Sequence, residues 1–157
     1  MKTSFSAERV IDAPADVVYR CLADYTHHHR PGGFLPPAFS NQEVLSGGVG
    51  DGTVIRLSLS LAGRTNTMTA RISEPQPGRT LVEDGESVRT TFTVQPEADK
   101  SRVRFDTVLE AGGLGGLINK FFAARLLRPL YTDELERLER YAQSQSTQRS
   151  VARLLVP

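Results

Sequence analysis

The chain has no tryptophan and a single cysteine, Cys21. One thiol forms no internal disulfide and builds no thiolate metal site, so the fold must rest on packing. No apolar run reaches the roughly 18 residues a spanning helix needs. Met1–Ser6 lack the apolar core of a signal peptide. Neither sign of charge is in excess. Nineteen Lys and Arg against 18 Asp and Glu leave a net charge of +1, so no global field recruits nucleic acid or an anionic membrane. A G-x-S-x-G nucleophile turn, a paired serine and histidine pattern, and a phosphate-binding glycine loop are missing too. These absences lead to the expectation of a cytoplasmic domain without metal or cofactor, with no nucleic-acid partner and no membrane span. They leave the oligomeric state open.

What remains is enough for one core. A globular chain of 157 residues buries about 70% of its unfolded surface. Residues 3–11 read as a strand, and residues 14–24 as a short helix. In that helix Pro14 suits the first position, Asp16 favours the N-terminal dipole, and Val17, Val18, Cys21 and Leu22 form an apolar stripe. Residues 25–39 carry three prolines and two glycines, which prevent a long helix or a central strand. From about residue 40 the pattern alternates with period two. In residues 53–61, Ile55, Leu57, Leu59 and Leu61 face one way while Arg56, Ser58 and Ser60 face the other. Met68, Ala70 and Ile72 alternate next. Short strands follow at 79–83, 88–94 and 102–110, with Phe92 and Phe105 on inward faces. Tight turns between successive strands argue for an antiparallel meander with one solvated face.

Gly112–Gly116 reads as a hinge. After it the period becomes 3.6, with Leu117, Phe121, Leu127, Leu130, Leu135, Leu138 and Tyr141 on one stripe and most of the charges outside it. The expected helix covers about 114–143 and should bend near 124–128, because an interior proline, Pro129, costs about 3 kcal/mol in a straight helix. Residues 1–143 then form one domain, and 144–157 a tail that is frayed or folds as a short extra helix. A six- or seven-stranded sheet with one apolar face must be covered, and only the last helix is long enough. The architecture is therefore α+β, a curved antiparallel sheet wrapped around a long C-terminal helix, with a cleft between them.

The run Val10-Ile11-Asp12-Ala13-Pro14-Ala15-Asp16-Val17-Val18-Tyr19, the following Leu22-Ala23-Asp24, the Gly47–Gly52 turn and the Leu130–Leu138 helix resemble the START-like helix-grip superfamily, which includes polyketide cyclase/dehydrase-like and Bet v 1-like members. The resemblance covers about residues 3–143. It implies a cavity for an apolar or aromatic small molecule such as a lipid or polyketide, with catalysis in some members. Many relatives carry a Trp-containing segment after the first helix; here His27–Arg30 and Pro31–Gly33 stand in that place.

All three histidines are consecutive, His27, His28 and His29. Neighbouring side chains diverge on a helix and alternate on a strand, so three adjacent imidazoles do not converge on one ion. One of them at the cavity mouth suits acid–base work; the alternative is an exposed polar loop. Tyr25, His29, Arg56 and Tyr131 are candidate polar anchors, although the phase of its strand turns Arg56 outward. Leu57, Leu59, Met68, Phe92, Phe105 and Phe121 are candidate apolar walls. Three functions follow: binding of a small hydrophobic molecule, a cyclase or dehydratase using a His or Tyr, or a groove for a partner chain. The second requires at least one of the three histidines to enter the pocket.

Overall fold

The computed structural model describes residues 2–110 and 120–155, with 120–124 as backbone only. Among the described residues, β1 (Lys2–Ile11) leads into α1 (Ala15–Ala23). The strands β2 (Phe39–Ser46), β3 (Val54–Leu61), β4 (Arg64–Gln76), β5 (Thr80–Gly85), β6 (Val88–Glu97) and β7 (Lys100–Glu110) follow, and α2 (Lys120–Leu155) closes the chain. The strands form one seven-stranded antiparallel sheet in the order β1-β7-β6-β5-β4-β3-β2. This is the expected helix-grip architecture. No helix of the described residues is long and apolar enough to cross a membrane.

Local chemistry accounts for the elements. Pro14 caps α1 from outside the helix, with φ −62° and ψ 146°, and Asp16 sits in the first turn. The stripe Val17, Val18, Cys21 and Leu22 is buried against the sheet and α2. Leu61 pairs with Arg64 across a two-residue loop. Both loop residues, Ala62 (φ 51°) and Gly63 (φ 77°), are left-handed, the geometry whose twist matches a hairpin.

Register sets the inner face. One cross-strand row runs Ile72, Glu83, Thr90, Thr107 and Phe5 over β4, β5, β6, β7 and β1. The next row on the same face carries Leu81, Phe92 and Phe105. Against these rows α2 lays Leu127, Leu130, Tyr131, Glu134 and Leu138, all buried. Full burial of each leucine stabilises by about 1.5–3 kcal/mol. The outer face is solvated, and its arginines pair with acids, as in Arg89–Asp84 at 2.8 Å and Arg102–Glu8 at 2.6 Å. Such exposed pairs contribute little.

Residues 144–155 continue α2, and Arg149 Nη1 donates to Asp16 Oδ2 on α1 at 2.8 Å. Pro129 lies inside α2 on its exposed side. The Gly112–Gly116 segment and the Phe121 side chain lie outside the described residues.

Candidate functional site

Asp24 ends α1 and organises the loop that follows. Its Oδ1 accepts from the backbone N–H groups of Thr26 at 3.0 Å and His27 at 2.9 Å, and its carbonyl accepts from those of His28 and His29. This coil sends three consecutive imidazoles in three directions. His27 remains exposed, its Nδ1 3.0 Å from Asp24 Oδ2. His28 Nδ1 meets the Tyr141 hydroxyl of α2 at 2.6 Å. His29 turns inward and is only 3% exposed. The exposed-loop alternative therefore describes His27 and not His29. Gln42 of β2 holds the loop in place, its Nε2 donating to the carbonyls of Tyr25 at 3.0 Å and His29 at 2.9 Å. Gly33 passes so close to the His28 carbonyl that a Cβ there would collide with it.

His29 Nδ1 lies 2.7 Å from the Leu22 carbonyl. A carbonyl only accepts, so Nδ1 carries the hydrogen and Nε2 is left as an acceptor. Nε2 faces Glu83 Oε1 at 3.6 Å and Glu134 Oε1 at 3.8 Å. No Lys or Arg among the described residues forms an ion pair with either carboxyl. Burial disfavours every charged form here. It lowers the His29 pKa to about 4 and raises that of Glu83 to about 7. Burial, with Glu83 nearby, also holds Glu134 well above the ordinary carboxylate range. At neutral pH the cluster is thus a neutral imidazole facing a Glu134 carboxyl that retains its proton and a Glu83 carboxyl midway through its titration. Tyr25 stacks on the His29 ring with centroids 4.4 Å apart. Its hydroxyl is close enough to Glu83 to interact electrostatically, yet it makes no hydrogen bond of ordinary geometry among the described residues.

The cluster forms the polar end of a cavity of about 60 Å³ between the sheet and α2. At 10–15 Å³ per water, that is room for roughly four to six waters, about the bulk of one substituted ring. Leu57, Leu59, Met68, Phe92 and Leu109 supply apolar wall. Thr90 and Tyr131 add hydroxyls, linked through Thr107: Thr90 Oγ1 lies 2.9 Å from Thr107 Oγ1, which donates to the Tyr131 hydroxyl at 3.2 Å. A hollow of about 340 Å³ beside Glu86 and Ser87 is larger, but its lining is mainly polar. Among the described residues, no group of three or more His, Cys, Asp or Glu is arranged to hold a metal ion. Cys21 is buried, and burial pushes its thiol up to about 12.

The structure distributes the sequence candidates plainly. His29, Leu57, Leu59, Met68, Phe92 and Tyr131 line the cavity. Tyr25 stands behind His29, and Phe105 packs behind Phe92 with ring centroids 4.7 Å apart. Arg56 points outward, as its strand phase requires, and meets Glu43 at 3.3 Å; it has no place in the cavity. The Phe121 side chain is not among those described. Sequence reasoning missed Glu83 and Glu134. Both were signalled by phase: Glu83 lies two residues after inward-facing Leu81, and Glu134 continues the helical spacing 127–131–134–138.

A curved sheet gripping a helix over a mostly apolar cavity defines the helix-grip class. The chain belongs to the polyketide cyclase / dehydrase and lipid transport family, whose model matches residues 2–143. Among solved structures it is similar to the KanY protein, with 28% identity, a TM-score of 0.75, and coverage of 91% of this chain and 99% of that one. The protein TTHA0849 from Thermus thermophilus shares 22% identity at a TM-score of 0.71, covering 91% and 99%. The Zhui aromatase/cyclase from Streptomyces sp. R1128 shares 19% at 0.63, covering 96% of each chain. The last two show the fold alone. No curated protein sequence matches the chain.

Proposed function

We propose that the cavity binds a small, mainly apolar molecule of about one ring and holds the molecule's polar group against His29, Glu83 and Glu134. One observation carries this reading: a largely apolar space between the sheet and α2 ends in three polar side chains, two of them within 4 Å of the third, the usual composition of a ligand site. The family description, which names both cyclases and lipid transport, supports it. The volume argues for a compact ligand over a long acyl chain or a multi-ring polyketide. The test is a titration with single-ring probes, followed through the methyl resonances of Leu57, Leu59 and Met68. Saturable shifts centred on these residues are expected. No shift with any probe overturns the reading.

A second reading, conversion of the bound molecule, is favoured by one specific feature. A neutral imidazole acceptor and a protonated carboxyl stand side by side at the polar end, supplying a base and an acid. His29 Nε2 would take a proton from the carbon beside a carbonyl while a glutamic acid donates one to a departing hydroxyl, so that water leaves and a double bond forms. Dehydration of a single-ring β-hydroxy ketone by the wild type, and its loss in His29→Gln, is the expected result. An unchanged ketone in the presence of wild-type protein leaves binding as the function.

A further inference from the structure

We propose that the polar group this cavity is built to receive is a protonated amine, making the ligand class a small apolar amine; the inference rests on the cavity being a ligand site. His29 Nε2 is an acceptor, because Nδ1 is committed to the Leu22 carbonyl at 2.7 Å. The Oε1 atoms of Glu83 and Glu134 lie 3.6 and 3.8 Å from that nitrogen. Two carboxyl oxygens therefore lie within 4 Å of one imidazole acceptor at the polar end of the cavity, and an ammonium carries three donors. No Lys or Arg is among the described residues lining the cavity. A carboxylate or phosphate ligand would meet no counter-charge from these residues.

Two further observations point to the same occupant. Glu134 is only 2% exposed, and the ion-pairing group within reach of its carboxyl is His29. It stands on the apolar stripe of α2, where a leucine would pack and the carboxyl bears a desolvation cost. The Tyr25 hydroxyl is likewise buried, and the carboxyl it can donate to is that of Glu83. An ammonium would let both carboxyls ionise in place, as a desolvated pair needs. The apolar walls from Leu57, Leu59 and Phe92 would take the hydrocarbon part.

Binding is then coupled to proton release. The groups that face the two carboxyls are His29 and Tyr25 from the loop after α1, and Tyr131 and Asp133 from α2. None is a cation at neutral pH, so the ligand alone supplies the positive charge. Glu83, with a pKa of about 7, must lose its proton for the pair to form. An amine therefore binds more tightly as pH rises through neutrality, until the amine itself deprotonates.

The test compares benzylamine, benzyl alcohol and benzoate, three probes of nearly equal size, by calorimetry and cavity methyl shifts at pH 5.5 and 8. Benzylamine should bind about tenfold more tightly than benzyl alcohol at pH 8, the scale of a charge-assisted contact. The gap should shrink at pH 5.5, and benzoate should be weakest. Glu83→Gln and Glu134→Gln should each remove the preference for benzylamine over benzyl alcohol. Benzyl alcohol binding as tightly as benzylamine at pH 8 overturns the amine proposal but leaves the ligand-site reading intact. No binding by any of the three overturns both.

Discussion

His29 Nε2 and Glu134 Oε1 face each other at 3.8 Å across the space between sheet and helix. The histidine is held by the loop after α1, and the carboxyl rides on α2. The two approach from opposite walls of the cavity, 105 residues apart in the chain. Any shift of α2 relative to that loop changes this separation, so the polar end of the cavity responds directly to how the helix is gripped.

The tautomer of His29 is the first consequence. Nδ1 carries the hydrogen because Leu22 offers only a carbonyl, and burial depresses the imidazole pKa to about 4. Long-range proton–nitrogen correlation spectra should show His29 neutral and Nδ1-protonated down to about pH 4. An Nε2-protonated ring, or titration near 6.5, would show that the cluster is wired differently.

Stability should fall on the alkaline side. Glu83 has a pKa of about 7 in the fold against an ordinary 4.5. The folded state thus keeps a proton that the unfolded chain has lost, and this contribution, full below pH 4.5, is lost as pH rises through 7. His29, at about 4 against 6.5, works oppositely: its contribution is full above 6.5 and lost as pH falls through 4. The two trends offset each other between those limits, leaving the carboxyls to act alone above about 6.5. Denaturant unfolding of ligand-free protein should show a loss of about 1–3 kcal/mol between pH 6 and 8, and Glu83→Gln should flatten it. Equal wild-type stability at both pH values contradicts the protonated-carboxyl picture.

Glu134→Leu should stabilise the fold. The residue sits on the same stripe as Leu127, Leu130 and Leu138, and exchanging a buried ionisable group for a well-packed apolar one is often neutral or worth about 1–4 kcal/mol. We expect an increase in unfolding free energy of about 1 kcal/mol at pH 7.5, together with loss of cavity binding by amines. A destabilised variant would mean that the carboxyl is a structural partner.

Much of the architecture was legible because it depends on short-range periodicity. Alternation in residues 53–61 placed Leu57 and Leu59 inward and Arg56 outward, and the structure agrees at each. The end of α2 was not legible. The Gln- and Ser-rich stretch after Tyr141 weakens the amphipathic signal, and a contact with α1 through Arg149 and Asp16 accompanies the helix there. The carboxyls escape notice for a related reason: a glutamate at an inward phase contradicts the expectation that charge faces water, and at Glu83 and Glu134 the phase is the better guide.

By itself, then, the sequence determined the sheet, the covering helix and the inward faces marked by Leu57, Leu59, Phe92 and Phe105, because period two and period 3.6 are properties of neighbouring residues. It also determined that three adjacent histidines would diverge. Only the tertiary structure decided which one turned inward, through the Asp24 coil, the Gln42 bonds and the close pass of Gly33. It alone brought Glu83 and Glu134 within 4 Å of His29. The encounter joins a loop, a strand and a distant helix, and the low polarity that shifts all three protonation equilibria exists only once those elements have packed.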